Sequence, residues 1–310
     1  MSAENGETIN PPNMLRVRLA AICLMFAMLT GAARHYRLDD SFIYGRYVLH
    51  AYQGRGLVFN SGEPINALTS VLDTWLQLAL TFLLHGRVML AQAILGGTFL
   101  LASLILAELT VPFAGVVLSC GSYFYFCTGM ETPLFVFLLA VTINAYVAGK
   151  VNWLPLLCAL CMLARFEGGA LALVIAWRLI REKRYPSLVS YMPALLLAGI
   201  YLTLNFHFYG SLLPQSASAK IGQGMSGFWG PWPTAFLKIG EKLYRPLGGN
   251  RDTVFFLMIV AWFGSRDLRM ALRNKVVLPF LLILGSFYIL FNIPNYFWYY
   301  GPFIYFLMII

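Results

Sequence analysis

Asp39 and Asp40 are the only adjacent acidic pair in a chain that is 59% hydrophobic and 11% charged. They follow the first long apolar segment, in Arg37-Leu38-Asp39-Asp40-Ser41-Phe42-Ile43-Tyr44. Carboxylates beside a membrane span are costly to keep, so a doublet there points to chemistry. A helix N-terminus favours the ionised form of such a pair, whereas mutual repulsion and partial burial favour keeping one proton. That balance suits a general base that takes the proton of a hydroxyl. The plainer reading is that Asp39 or Asp40 caps the helix that follows.

A base alone transfers nothing; a departing phosphate also needs cations where its charge builds. Arg165, in Arg165-Phe166-Glu167-Gly168, places a cation between two short apolar segments, either to bind phosphate or to steady a tight turn with Glu167. Lys220 follows a run of small residues, and Arg55 lies in the glycine-rich stretch after the doublet; both are further candidates for the phosphate. Glu131, in Thr128-Gly129-Met130-Glu131-Thr132-Pro133-Leu134, is a second acid, a metal ligand or a helix cap, and Glu167 shares the first two roles. Together with the aspartates these acids would hold a divalent cation, Mg2+ or Mn2+, if one is used. Tyr44, Asn66, Trp298 and Tyr299 are candidates for a substrate groove. The aromatic run 296–300 fits an interfacial belt first and a sugar-stacking platform second. Asp73, inside an apolar run, reads as a partnered polar group, and Cys158-x-x-Cys161 as packing.

These residues need a scaffold, and the composition dictates a polytopic, all-α membrane bundle. Repeated Leu/Ala-rich runs give about ten spans. Residues 1–14 read as a flexible cytoplasmic tail and 15–310 as the transmembrane domain. The first span is Leu19–Ala33. An interfacial helix follows in the first external loop, with Tyr44, Tyr47, Val48, Ala51 and Tyr52 opposite Arg46, His50 and Gln53. Residues 67–84 read as the second span and 88–109 as the third. Basic blocks at 178–184 and 266–275 mark the cytoplasmic side, so membrane topology explains the basicity better than nucleic acid does. On that parity 112–127 must be a re-entrant segment. Inside then lie 12 basic and 4 acidic residues, against 10 and 8 outside. The external cations suit an anionic ligand.

Gly54-Arg55-Gly56-Leu57-Val58-Phe59-Asn60-Ser61-Gly62-Glu63-Pro64, read with the doublet, resembles the first external loop of GT-C membrane glycosyltransferases, arabinofuranosyltransferase-like branch. Gly129–Leu134, Arg165–Gly168, Tyr209-Gly210-Ser211-Leu212-Leu213-Pro214 and Trp298-Tyr299-Tyr300 look like further landmarks in the same order, covering roughly residues 15 to 305. The resemblance implies an inverting transferase in the bacterial inner membrane that uses a polyprenyl-phosphate sugar on the extracytoplasmic side. Its acceptor would be a glycan, lipid or protein of the cell envelope. Asp39 would be the base, with Asp40 supporting it. The chain departs from the pattern with Phe166 in place of a common proline, and it reads as a form lacking the soluble C-terminal domain. A transporter or flippase of an anionic lipid or sugar is the rival from another class, and an inactive scaffold subunit is a third.

Overall fold

A computed structural model describes residues 11–121, 123–212, 214–237 and 275–309, and among these every regular element is helical. The helices are α1 Pro11–Ala32, α2 Asp39–Tyr52, α3 Val71–Leu83, α4 Val88–Thr110, α5 Ala114–Cys120, α6 Tyr123–Phe126 and α7 Thr132–Val147. There follow α8 Leu154–Ala164, α9 Gly168–Glu182, α10 Met192–Tyr209, α11 Ser216–Met225, α12 Val277–Leu290 and α13 Gly301–Ile309. The stretches Asn13–His35, Val88–Thr110 and Leu188–Tyr209 are long and apolar enough to cross a membrane, which suggests membrane association. The span expected at 253–264, residues 266–274 of the second basic block, residues 238–251 of the long loop and residues 1–10 of the tail lie outside the described residues.

Local sequence explains where several helices start. Pro133, Pro155 and Pro193 occupy the first turns of α7, α8 and α10, where a missing N–H breaks no bond. The Ser70 hydroxyl accepts the Asp73 N–H at 3.3 Å and caps α3.

Contacts along α1 and α4 set the direction of the chain. Arg18 Nε lies 2.7 Å from Glu108 Oε1, near the start of α1 and the end of α4, and Phe26 abuts Gly97 further along. The two helices are therefore antiparallel. At its other end α4 begins against α2, where Gln92 Nε2 donates to the Ser41 carbonyl at 2.9 Å. Gly86, in the turn between α3 and α4, lies against the Tyr52 ring of α2.

Two expectations fall here. Residues 67–84 do not make the second crossing: α3 lies beside α2 at one end of the bundle, and α4 makes the return. At 13 residues α3 rises about 20 Å, short of a hydrocarbon core, and it buries Asp73, Thr74, Gln77 and Thr81 in its packing. Nor is 112–127 a re-entrant dip. The Phe113 N–H donates to Glu108 Oε1 at 3.0 Å at the Arg18 end, whereas Gly129 lies beside Gly96 and Ser41 at the α2 end. α5 and α6 together lead from one end of the bundle to the other. The two changes of direction cancel.

The remaining helices sort to the same two ends. α7 starts at the α2 end and runs alongside α4, with Phe137 against Phe99. α8 returns, since Cys161 meets Thr142 and Arg165 meets Glu131. α9 runs back to a far-end cluster in which Glu182 Oε1 accepts from the Tyr146 hydroxyl at 2.7 Å and from Arg178 Nη2 at 2.5 Å. The 178–184 basic block thus sits at the end opposite the acidic doublet. α12 brings Tyr288 back to Glu167, and α13 starts with Gly301 against Thr132. Tyr47, Leu100, Leu104, Phe135, Leu139 and Phe280 are fully buried in the core these helices share.

Candidate active site

Asp39 and Asp40 form the first turn of α2, and no side chain caps it. One residue of helix turns the side chain by about 100°, so the doublet diverges. Asp39 is exposed and lines an open groove beside Arg46, Arg87 and Met89. Its Oδ1 accepts the Asp40 N–H at 2.9 Å. Asp40 lines a different space, a cavity of about 180 Å³ walled also by Tyr44, Glu131, Arg165, Lys220 and Trp298. Asp40, rather than Asp39, therefore meets the other candidate groups. Burial pushes the Asp40 carboxyl above the usual carboxylate range, and the nearby Lys220 ammonium opposes that. Burial likewise pushes Lys220 below the usual lysine range, with Asp40 opposing. Each charge helps keep the other ionised, and no direct ion pair joins them.

Arg165 ends α8 in extended backbone, φ −160° and ψ 139°, and the turn closes when the Gly168 N–H donates to the Arg165 carbonyl at 2.9 Å. Gly168 is required because a Cβ there would meet the Cys161 carbonyl carbon at 2.5 Å. The turn forms with Phe166 where a proline was the expected pattern. Its tip delivers a buried guanidinium to two acids at once: Nη1 to Glu131 Oε1, and Nη2 to Glu167 Oε1 at 2.7 Å. The Tyr288 hydroxyl also donates to Glu167 Oε1, at 3.3 Å. The Arg165 guanidinium lies 4.8 Å from the centre of the Tyr299 ring.

Glu131 occupies the N-cap position of α7 yet makes no capping bond. Its carboxylate turns to Arg165 instead, and Oε2 is left buried without a hydrogen-bond partner. Among the described residues no group of three or more His, Cys, Asp or Glu could hold a metal ion. Glu131 and Glu167 are engaged by Arg165, so the ligand set expected for a divalent cation is not assembled there.

Lys220 is carried by α11, not by a loop, and its Nζ lies 4.6 Å from the centre of the Tyr296 ring. Tyr296 in turn stacks on Trp298, centroids 4.6 Å apart and planes 6° from parallel. Trp298 and Tyr299 are buried in the cavity wall, which corrects the reading of them as a surface belt. His50, expected on the polar face of α2, is also buried; its Nδ1 lies 3.0 Å from the Val58 carbonyl.

A second cavity, about 310 Å³, shares Thr69, Arg165, Ser216, Lys220 and Tyr299 with the first. Elsewhere its walls are largely apolar, including Leu173, Ile221, Ile283, Leu284 and Phe287. Leu173 and Ile283 are exposed, so the chamber is bordered by apolar surface between α9 and α12. Arg165 and Lys220 therefore stand where the apolar chamber meets the smaller cavity that Asp40 and Glu131 line.

Two candidates lie elsewhere. Arg55 is exposed beyond the far end of α2, about 20 Å from Asp40 along the helix, and belongs to neither cavity. Asn66 is buried with its Nδ2 donating to Asn205 Oδ1 at 3.0 Å, and it lines a separate pocket against α10. Asp73 is partnered as its reading required: its Oδ2 accepts from Gln77, whose Oε1 accepts from Gln92. The sequence reading missed Tyr288, Thr69 and Ser216. A lone phenol in the apolar segment 277–290 was a signal for Tyr288; the others carried none. Comparison with protein-family models, curated proteins and solved structures returns no match.

Proposed function

We propose that this protein is a membrane glycosyltransferase that moves a sugar from a polyprenyl-phosphate donor to an acceptor hydroxyl, with inversion. The observation that carries the reading is the junction at Arg165 and Lys220 between an apolar chamber and a cavity holding Asp40 and Glu131. A lipid-linked phosphate sugar has the same three parts in the same order: chain, anion, polyol. Its chain enters between α9 and α12, its phosphate binds the two cations, and its sugar projects toward Asp40.

The reaction follows from that placement. The acceptor oxygen forms a bond to the anomeric carbon from the face opposite the phosphate, and the bond from that carbon to the phosphate oxygen breaks. Asp40 accepts the hydroxyl proton, while Arg165 and Lys220 stabilise the charge that builds on the phosphate. The acceptor is a glycan, lipid or protein of the cell envelope, with the α2 end of the bundle on the extracytoplasmic side of a bacterial inner membrane.

The test is direct. Purified protein is incubated with a panel of radiolabelled polyprenyl-phosphate sugars and envelope acceptors, with and without chelator. Transfer from at least one donor, lost in Asp40→Asn, supports the reading. Movement of labelled donor across liposomes without any transfer would replace it with a carrier.

A further inference from the structure

A carboxylate oxygen with no partner in a buried wall marks an unmet demand. Glu131 is 1% exposed, its Oε1 is held by Arg165, and its Oε2 has no hydrogen-bond partner. Leaving a buried acceptor unsatisfied is costly, and the cost is removed when a ligand supplies the donor. Glu131 lines the small cavity itself, beside Asp40 and Arg165. The usual explanation for an acid at this position, capping of the helix N-terminus, does not apply, because Glu131 makes no cap bond to α7.

The group that Oε2 awaits must donate a hydrogen bond. It must also fit a cavity of about 180 Å³. A second phosphate is excluded by charge, since it brings only acceptors to an acid. A sugar hydroxyl satisfies both conditions. We infer that Glu131 determines which sugar is transferred, its Oε2 accepting one ring hydroxyl of the donor. The inference rests on the transferase reading and adds to it the residue that selects the sugar. Arg165 couples the two halves of the donor, its guanidinium fixing Glu131 while it faces the phosphate position.

The test compares binding of parent donors with their analogues. The probes are polyprenyl phosphate without sugar, polyprenyl-phosphate pentoses and hexoses, and versions of each deoxygenated or fluorinated at successive ring positions. Wild-type protein is expected to lose at least about 100-fold in affinity at one hydroxyl position and much less at the others. Fluorine there does not restore binding, because it cannot donate to a carboxylate. Glu131→Gln places an amide nitrogen at Oε2, which donates where the carboxylate accepts, so in the variant the fluorinated donor is expected to bind at least about threefold better than the deoxy donor, a recovery absent from wild type. If every deoxy analogue binds wild type within about threefold of its parent, the inference is overturned. A fluoro-to-deoxy affinity ratio in Glu131→Gln equal to that of wild type overturns it too. The wild-type comparison stands by itself if that variant does not fold. Failure of wild type to bind both the sugar donors and bare polyprenyl phosphate removes the transferase reading, and this inference with it.

Discussion

At the scale of single residues, Asp40 and Lys220 are the pair to test. Asp40→Asn is expected to lower the transfer rate by at least about a thousandfold with donor affinity retained, as removal of a general base does. Asp39→Asn, which alters a carboxylate in the neighbouring groove, should cost less than about tenfold. Equal loss in both variants would return the base role to the doublet as a unit. The shifts at these two residues also predict a pH profile. Asp40 acts as base only when ionised, and burial raises its carboxyl, so the acid limb lies above the ordinary carboxylate range. Lys220 serves the phosphate only as a cation, and burial lowers it, so the alkaline limb lies below the ordinary lysine range. Lys220→Arg should move the alkaline limb upward and leave the acid limb nearly in place, since a guanidinium does not titrate there. Profiles of transfer rate against pH for the two proteins decide it.

Among elements, the α1–α4–α5 corner depends on one carboxylate. The Glu108 side chain is fully buried; it accepts the Phe113 N–H at 3.0 Å and the Val116 N–H at 3.4 Å while facing Arg18. The Arg18 Nε contact is one of charge, not an aligned hydrogen bond. Arg18→Ala leaves that acid without its cation and is expected to destabilise the protein by about 3 kcal/mol, read as a fall in Tm in detergent. Gly115, in the same corner, has no room for a side chain: a Cβ would sit 2.2 Å from the Leu104 carbonyl oxygen. Gly115→Ala should therefore push α5 off α4 and cost about 2 kcal/mol or more. A Tm within a degree or so of wild type would mean the corner is looser than its contacts imply. The sequence signalled neither feature, because Arg18 and Glu108 lie 90 residues apart and only the packing of α1 against α4 brings them together.

For the whole molecule, the two reassigned segments change where charge lies. Arg87 joins the end that carries the acidic doublet, and Glu108 leaves it. That end is therefore more cationic in this respect than the count from sequence, which suits an anionic donor. Single cysteines in a cysteine-free background test the arrangement. Cysteines replacing His85 and Asn60 should label from one side of the membrane, and one replacing Ser187 from the other. Labelling of position 85 together with position 187 would restore 67–84 as a crossing and dismantle the described bundle. Cys23 and Cys120 must be removed first, being exposed in the native chain.

The helical class, the span-like apolar runs and the acidic doublet were all legible in the residues, because each is local: hydropathy accumulates along one segment, and two adjacent acids are visible anywhere. The partnering of Asp73 was legible too, since a carboxylate in an apolar run must find a donor. Which member of the doublet faces the cavity was not, because one residue of helix turns a side chain by about 100° and only the packing of α2 fixes that rotation. Nor did hydropathy distinguish α3 lying along α2 from α3 crossing, since the run 67–84 is apolar enough to suggest either. Glu131, Arg165, Lys220 and Asp40 come from four separate stretches of chain. Their meeting at the junction of two cavities depends on crossings that each reverse the direction of the last, and that is a property of the assembled bundle alone.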